Sequence, residues 1–528
     1  LYRLFPVGAH FSNLPKPLVP FMLSKTISFG IAGLDGYLVT VEADCGPGLP
    51  LFTVVGLPDS SVRESRERVR SAIKNSGFDF PSGRITVNLA PADTKKEGPN
   101  FDVAIALSIL ASSGQVPHEP LNRFAFLGEL SLDGNIHAVH GALAASLSAA
   151  GQNLKGLVVP AANAREAALP RTIAVYPVTC LKEVVHFLTC MESIPPFDPD
   201  DKNTETPWVW DMDFCDVKGQ NHAKRGLEIA AAGGHNVLLV GPPGSGKTML
   251  AKRMPTILPD MSRQETLEVT KIHSVMGLLK YPSVVLRQRP LRNPHHTASD
   301  IALVGGGSIP RPGETTLAHN GVLFLDELPE FSRHTLEALR QPLEDGCVTV
   351  ARAKGSVCFP ARFMLVAAMN PCPCGWRMSH RKTCVCAPTQ IEQYFNKISG
   401  PLLDRIDIHL EVSALKNEDL WGSAEPEPSA RVKKRTSRAR MVQHERFKDS
   451  GVGHNATMTG KDIKKYCVLD EQGKDLLKAA TERLGLSARA HDRVLKVART
   501  IADLEGCTDI LPKHVAEAIG YRTLDKMR

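Results

Sequence analysis

Short apolar runs closed by glycine or acidic residues recur along the chain, and two of them have the look of buried parallel strands. Residues 236–240 are mostly apolar and lead straight into Gly241-Pro-Pro-Gly-Ser-Gly-Lys247-Thr248. That order predicts a strand, a tight turn and the start of a helix. Residues 321–327, GVLFLDE, end an apolar run in two carboxylates. A buried strand whose C-terminal end faces a site has this composition.

The remaining periodicity divides the chain. Over residues 26–190, strand-like runs at 37–42, 51–55, 85–89 and 127–132 alternate with helical patterns at 59–76, 101–112 and 141–150, predicting an α+β domain. Ser61 and Glu64 have capping-box spacing for the 59–76 helix. Its arginines Arg63, Arg66, Arg68 and Arg70 suit a solvated face or a nucleic-acid contact. Residues 347–359 predict a hairpin turning near Gly355, ahead of a strand at 363–369, and residues 404–410 turn strand-like. Residues 470–528 carry apolar stripes at helical spacing, Leu476, Leu477, Ala480 and Leu484 in one and Val494, Leu495, Ala498, Ile501 and Ala502 in another. Pro-rich and acidic stretches mark linkers at 191–207 and 413–430. The resulting units are an extension expected to be disordered (1–25), the α+β domain (26–190), a P-loop domain (208–412) and a helical domain (431–528).

Composition narrows the class without choosing a function. At 528 residues, 43% hydrophobic and 23% charged, the chain has the composition of an ordinary globular protein too long for one core. A net charge of +7 is compatible with a polyanionic partner. No stretch of about 18 apolar residues predicts a membrane span. The first residues lack the apolar core and cleavage site of a secretory signal. Twelve cysteines, most of them scattered singly, favour a reducing, cytoplasmic setting.

The chemistry concentrates at a few positions. Gly241, Pro242, Pro243, Gly244, Ser245, Gly246, Lys247 and Thr248 fit G-x-x-x-x-G-K-[ST], whose backbone N–H groups cradle a triphosphate. Lys247 would reach the β- and γ-phosphates of ATP and Thr248 would ligate Mg²⁺. Asp326 would complete the Mg²⁺ shell, and Glu327 would polarise the attacking water. Asn370 closes a strand and either orients that water or opens the turn before Pro371. Arg405 stands between Asp404 and Asp407, as an internal ion-pair partner or as a cation offered to a neighbouring subunit's nucleotide. Cys372, Cys374, Cys384 and Cys386 could hold a structural Zn²⁺ or remain as free thiols or a disulfide. Residues 292–307, with His295, His296 and a run of glycines, read as a substrate-touching pore loop or a structural insertion. The basic run 431–446 reads as a solvated helix face or a phosphate-backbone contact.

Longer stretches are more particular than a P-loop: NPHHTASDIALVGGG (293–307), PGETTLAHNGVLFLDELPEF (312–331), NPCPCG (370–375), SGPLLDRIDIH (399–409) and ARAHDRVLKVARTIADL (488–504). From about residue 22 to 526 the chain resembles the magnesium-chelatase-like AAA+ ATPases of the ComM/YifB family. The resemblance implies ATP and Mg²⁺ at Lys247, Thr248, Asp326 and Glu327, with Asn370 as sensor 1, Arg405 as arginine finger and Arg489 as sensor 2. It also implies a homo-hexameric ring with a C-terminal helical lid. For ComM-type members it implies a helicase that drives DNA branch migration during integration of transforming DNA. The domain at 26–190 resembles the Lon-protease-like fold (ribosomal S5 domain 2-like). Asn100 and Leu143 stand where Lon-type peptidases have their serine and lysine, so no peptidase activity is expected. A magnesium-chelatase motor subunit and a protein-remodelling ATPase are the alternative functions.

Overall fold

A computed structural model describes residues 22–198, 211–279, 285–307, 310–352, 355–377, 382–414 and 427–522. The extension 1–21, much of the 191–207 linker and most of the 413–430 linker lie outside the described residues. The chain forms two compact units, one of residues 1–204 with 274–284 and one of 205–273 with 285–528. Among the described residues no helix is long and apolar enough to cross a membrane.

The first unit is a mixed seven-stranded sheet. Its strand order is Leu51–Val55, Arg84–Ala90, Asp35–Gly46, Ser24–Ala32, Phe124–Phe126, Gly156–Pro160, Ala174–Val178. The first strand begins at Ser24, inside the span assigned to the extension. Alternation decides the faces: Ile85, Val87 and Leu89 are buried, as their period of two requires. Helix Asp102–Ser112 is buried on every side, which explains why it is apolar all round.

Three local expectations are corrected. Helix Ser60–Asn75 is capped by Asp59, whose carboxylate accepts the Val62 N–H, so the Ser61/Glu64 pair is not its cap. Arg68 is not solvated, because its Nε donates to the buried Asp102 carboxylate at 2.8 Å. The strand expected at 127–132 joins the sheet earlier, as Phe124–Phe126, while Glu129–Leu130 pairs separately with Ile136–His137. Here Gly128, at φ 154°, breaks the run. Leu143 is fully buried, and the Asn100 side chain donates to the His140 carbonyl at 3.4 Å.

The second unit is built on five parallel strands in the order Leu291–Arg292, Val322–Leu325, Met364–Met369, Val237–Val240, Ile408–Glu411. Strands buried on both faces must be continuously apolar, as VLLV, VLFL and MLVAAM are. Val237, Leu239, Phe324 and Val366 face one core and Leu238, Val240, Leu323 and Leu365 the other. The first core also takes in Val494, Ala498 and Ile501 of helix Ala488–Glu505, so the C-terminal helices share a core with the sheet. Leu476, expected in an apolar stripe, is partly exposed, whereas Leu477 is buried.

Helix Ser429–Arg446 begins inside the span assigned to the second linker and carries the basic run. Four of the seven Lys and Arg residues of that run are used internally. Arg440 donates to the Ala231 and Ala232 carbonyls at 3.0 and 3.1 Å, where helix Asn221–Gly233 ends. Arg435 pairs with Glu228 and Glu427, Lys433 with Asp260, and Arg446 with Asp503. Arg431, Lys434 and Arg438 remain exposed at spacings that put them on one face.

Candidate functional site

The parallel sheet brings the predicted nucleotide residues to one edge, beyond the C-terminal ends of three adjacent strands. The Val237–Val240 strand delivers the P-loop, Val322–Leu325 delivers Asp326 and Glu327, and Met364–Met369 delivers Asn370. Glycine is required at two positions of the loop. A Cβ on Gly241 would lie 2.1 Å from the Val412 carbonyl oxygen, and Gly246 sits at φ 94° as the helix Lys247–Ile257 begins.

Lys247 is buried, and its Nζ donates to the Gly241 and Pro242 carbonyls at 2.8 and 2.9 Å and to Asn370 Oδ1 at 3.2 Å. Burial pulls its pKa below the usual lysine value, and Asp326 and Glu327 oppose that only in part. The Thr248 hydroxyl donates to Asp326 Oδ2 at 2.7 Å, which places two hard oxygen donors together at the mouth of the loop. Such a pair fits the Mg²⁺ that accompanies a nucleoside triphosphate.

Glu327 follows with left-handed backbone, φ 52°, and a carboxylate that is 58% exposed. His296 Nδ1 lies 3.5 Å from its Oε2. The 292–307 segment that carries His296 is not a continuous loop: it contains helix Asp300–Val304, capped by Ser299. Sequence reasoning did not assign the His296 contact, since nothing in adjacent histidines marks a partner more than thirty positions away.

Arg405 is brought to a different place. The Ile408–Glu411 strand runs parallel to the P-loop strand in the register Val237 to Ile408 and Val240 to Glu411. Arg405 precedes its N-terminal end, so the length of a four-residue strand, about 13 Å at about 3.3 Å per residue, separates Arg405 from the P-loop edge. The guanidinium is buried, bonded to Glu344 and to the Pro401 carbonyl. Burial and then the nearby Arg340, Arg489 and Arg493 lower its pKa. Arg489 is exposed in the first turn of helix Ala488–Glu505 and belongs to this arginine cluster.

A polar network holds the cluster to the sheet. Asn236 Nδ2 donates to the Arg405 carbonyl at 2.9 Å, and its Oδ1 accepts Leu365 N–H at 2.8 Å. His235, fully buried, lies between Asp407 Oδ2 at 3.2 Å and Thr500 Oγ1 at 2.8 Å, and Arg493 pairs with Asp407. His235 and Asn236 were legible only as polar residues at the start of an apolar strand. Burial alone would raise the Asp407 carboxyl, but Arg493, His235 and Lys496 outweigh it and hold its pKa well below the usual range.

That shift has a sign that can be measured. An aspartate with a depressed folded pKa stabilises fully above its unfolded value of about 4 and loses the effect as pH falls further. Asp407→Asn is therefore expected to cost about 3 kcal/mol at neutral pH, the order for breaking a buried ion pair. The difference from wild type should shrink below about pH 4, as read from denaturant unfolding at both pH values. A constant difference would remove Asp407 as the charged centre of the network.

The four cysteines also converge. Cys372, Cys374, Cys384 and Cys386 are all free thiols, and their sulfurs lie within 4.8 Å of one another.

Comparison with known proteins gives the chain its relatives. Three family models match: "Subunit ChlI of Mg-chelatase" over residues 41–163, "Magnesium chelatase, subunit ChlI" over 213–420, and the ChlI C-terminal model over 426–522. The competence protein ComM of Haemophilus influenzae is 46% identical over 500 residues, covering 94% of this chain and 96% of its own length. YifB of Escherichia coli is 44% identical over 499 residues, with 94% and 96% covered. The magnesium-chelatase subunit ChlI of Euglena gracilis is 25% identical over 245 residues, 42% of this chain and 61% of its own. The P-loop geometry and these matches together support an ATPase. With such identity along nearly its whole length, the chain belongs to the magnesium-chelatase-like family of ComM and YifB.

Proposed function

We propose that the chain is a cytoplasmic, homo-hexameric ring ATPase that turns ATP hydrolysis into movement on branched or single-stranded DNA, as a ComM-type branch-migration helicase in the recombination of transforming DNA. The observation that carries the reading is the placement of Lys247 and Arg405 at opposite edges of one sheet. A buried P-loop at one edge and an arginine cluster at the other support a site shared between protomers. Stacked head to tail around a ring, each protomer would lend Arg405 and Arg489 to the next.

In this scheme Lys247 leaves the Gly241 and Pro242 carbonyls for the phosphates. Thr248 and Asp326 are the residues that would hold Mg²⁺, which supplies charge neutralisation at the β- and γ-phosphates. Glu327 takes a proton from the attacking water, and Asn370 orients that water. Arg489, an electrostatic neighbour of Arg405, would serve as the sensor arginine in this scheme. The first unit has Asn100 and Leu143 where a Lon-type peptidase needs serine and lysine, so its proposed role is not proteolytic.

A chelatase motor is the second reading, favoured by the ChlI description of the matching models. The identity to ComM, nearly twice that to ChlI and spread over more than twice the share of the chain, favours the DNA motor. Forked or four-way DNA is expected to stimulate ATP turnover, with log affinity falling linearly as log salt rises. Replacing Arg431, Lys434 and Arg438 by glutamine should reduce that slope by about 2, near 0.7 for each phosphate of a single strand that is no longer neutralised. ATP turnover indifferent to every DNA structure would rule the motor out in favour of the chelatase.

A further inference from the structure

We infer that Cys372, Cys374, Cys384 and Cys386 bind one zinc ion, and that this ion clamps the sensor segment onto the P-loop so that ATP turnover depends on it. The coupling rests on the ATPase reading, whereas the metal site stands on its own geometry.

Three of the sulfurs already form one face of a tetrahedron, and the fourth lies within 4.8 Å of them. Cys372 Sγ lies 3.4 Å from Cys374 Sγ and 3.7 Å from Cys384 Sγ, and Cys374 and Cys384 are 3.6 Å apart. Four sulfurs at a zinc–sulfur distance of about 2.3 Å have tetrahedral edges of about 3.8 Å. A polynuclear iron–sulfur cluster would hold its cysteines farther apart, because the cluster itself lies between them. The backbone N–H of Cys374 points at Cys386 Sγ, 3.4 Å away. Such a donor favours thiolate over thiol, and four thiolates this close repel one another unless a cation stands among them. Binding releases four thiol protons and leaves a centre of net charge −2.

The position gives the ion its consequence. Cys372 is fully buried and follows Asn370 by two residues, and Asn370 accepts the Lys247 hydrogen bond. Gly375, inside the knuckle at φ 81°, packs so closely on the P-loop that a Cβ would meet Pro243 Cδ at 2.6 Å. After Cys386 the chain enters helix Pro388–Asn396, whose buried Tyr394 packs in the same core as Met369, the residue before Asn370. The cysteines thus tie the segment that follows Asn370 to the one that enters helix Pro388–Asn396, in one knot against the phosphate-binding loop. Without the ion, Asn370 and Pro243 lose the tether that fixes them. Displacement of a catalytic group by about 1 Å costs about 10²-fold in rate.

The full chain, purified without chelator, is expected to carry about one zinc per chain by elemental analysis. Cobalt(II) put in its place should give the strong visible absorption of a tetrahedral tetrathiolate. Cys384→Ser should lose the metal and about 10²-fold in kcat, while still binding ATP. Because that variant could fail to fold, wild type stripped with a chelator should lose the same activity and regain it on zinc addition. Substoichiometric zinc without the cobalt spectrum, or iron in its place, overturns the site, whether or not the protein hydrolyses ATP. A full complement of zinc whose removal leaves kcat unchanged overturns the coupling alone.

Discussion

Arg405→Ala is expected to lower ATP turnover by about 10³-fold or more, the range for removing an arginine finger, while ATP binding stays intact. The expectation follows from the sheet: Arg405 lies a strand length from its own P-loop, so its loss leaves every side chain around Lys247 in place. It is held in readiness by Glu344 and the Pro401 carbonyl, and Asn236 fixes its backbone. A purely structural ion pair would behave otherwise, with unfolding and loss of activity moving together. Arg405→Lys separates the cases further, since an ammonium keeps the charge but not the planar fork that meets a phosphoryl oxygen pair. Mixing gives the sharpest readout. Arg405→Ala and Lys247→Ala protomers, each inactive alone, should regain part of the turnover together, because some interfaces then join an intact P-loop to an intact arginine. Full-speed hydrolysis by Arg405→Ala alone would end the shared-site scheme.

How far these sites were legible differs residue by residue. The P-loop could be found because its spacing of glycines, lysine and threonine is particular to phosphate binding. Asp326, Glu327 and Asn370 could be found because they are polar residues closing apolar runs that read as buried parallel strands. The central strands of the second unit were located for the same reason. The arginine cluster was half legible: Arg405 stood out between two carboxylates, but which edge of the sheet it occupies depends on strand register, a long-range property. The basic helix misled in the other direction, since charge density along a sequence does not show that Arg440 is spent on the Ala231 and Ala232 carbonyls. In the first unit, Gly128 displaced a strand and Asp59 displaced a cap, each through local backbone geometry that competing residues nearby imitate.

Glu327→Gln is the second large effect, expected to slow hydrolysis by about 10² to 10⁴-fold, the contribution of a positioned general base. The change keeps the shape and the hydrogen-bonding reach of the side chain but removes its ability to accept a proton. ATP affinity should therefore persist, because the contacts to phosphate and metal are proposed for Lys247, Thr248 and Asp326, and the Glu327 carboxylate turns towards His296 instead. Its exposure supports the role: a base must meet a water that arrives from solvent, and a carboxylate 58% exposed can do so while the Asp326 carboxylate stays engaged with Thr248. Asp326→Asn is the contrasting variant, since loss of that oxygen donor should weaken Mg²⁺-dependent nucleotide binding itself. Equilibrium binding of ATP and single-turnover hydrolysis, measured on both variants, separate the two carboxylates. A Glu327→Gln protein that turns over ATP at a near-normal rate would move the base elsewhere, and His296, 3.5 Å away, is the group that would then have to be tested.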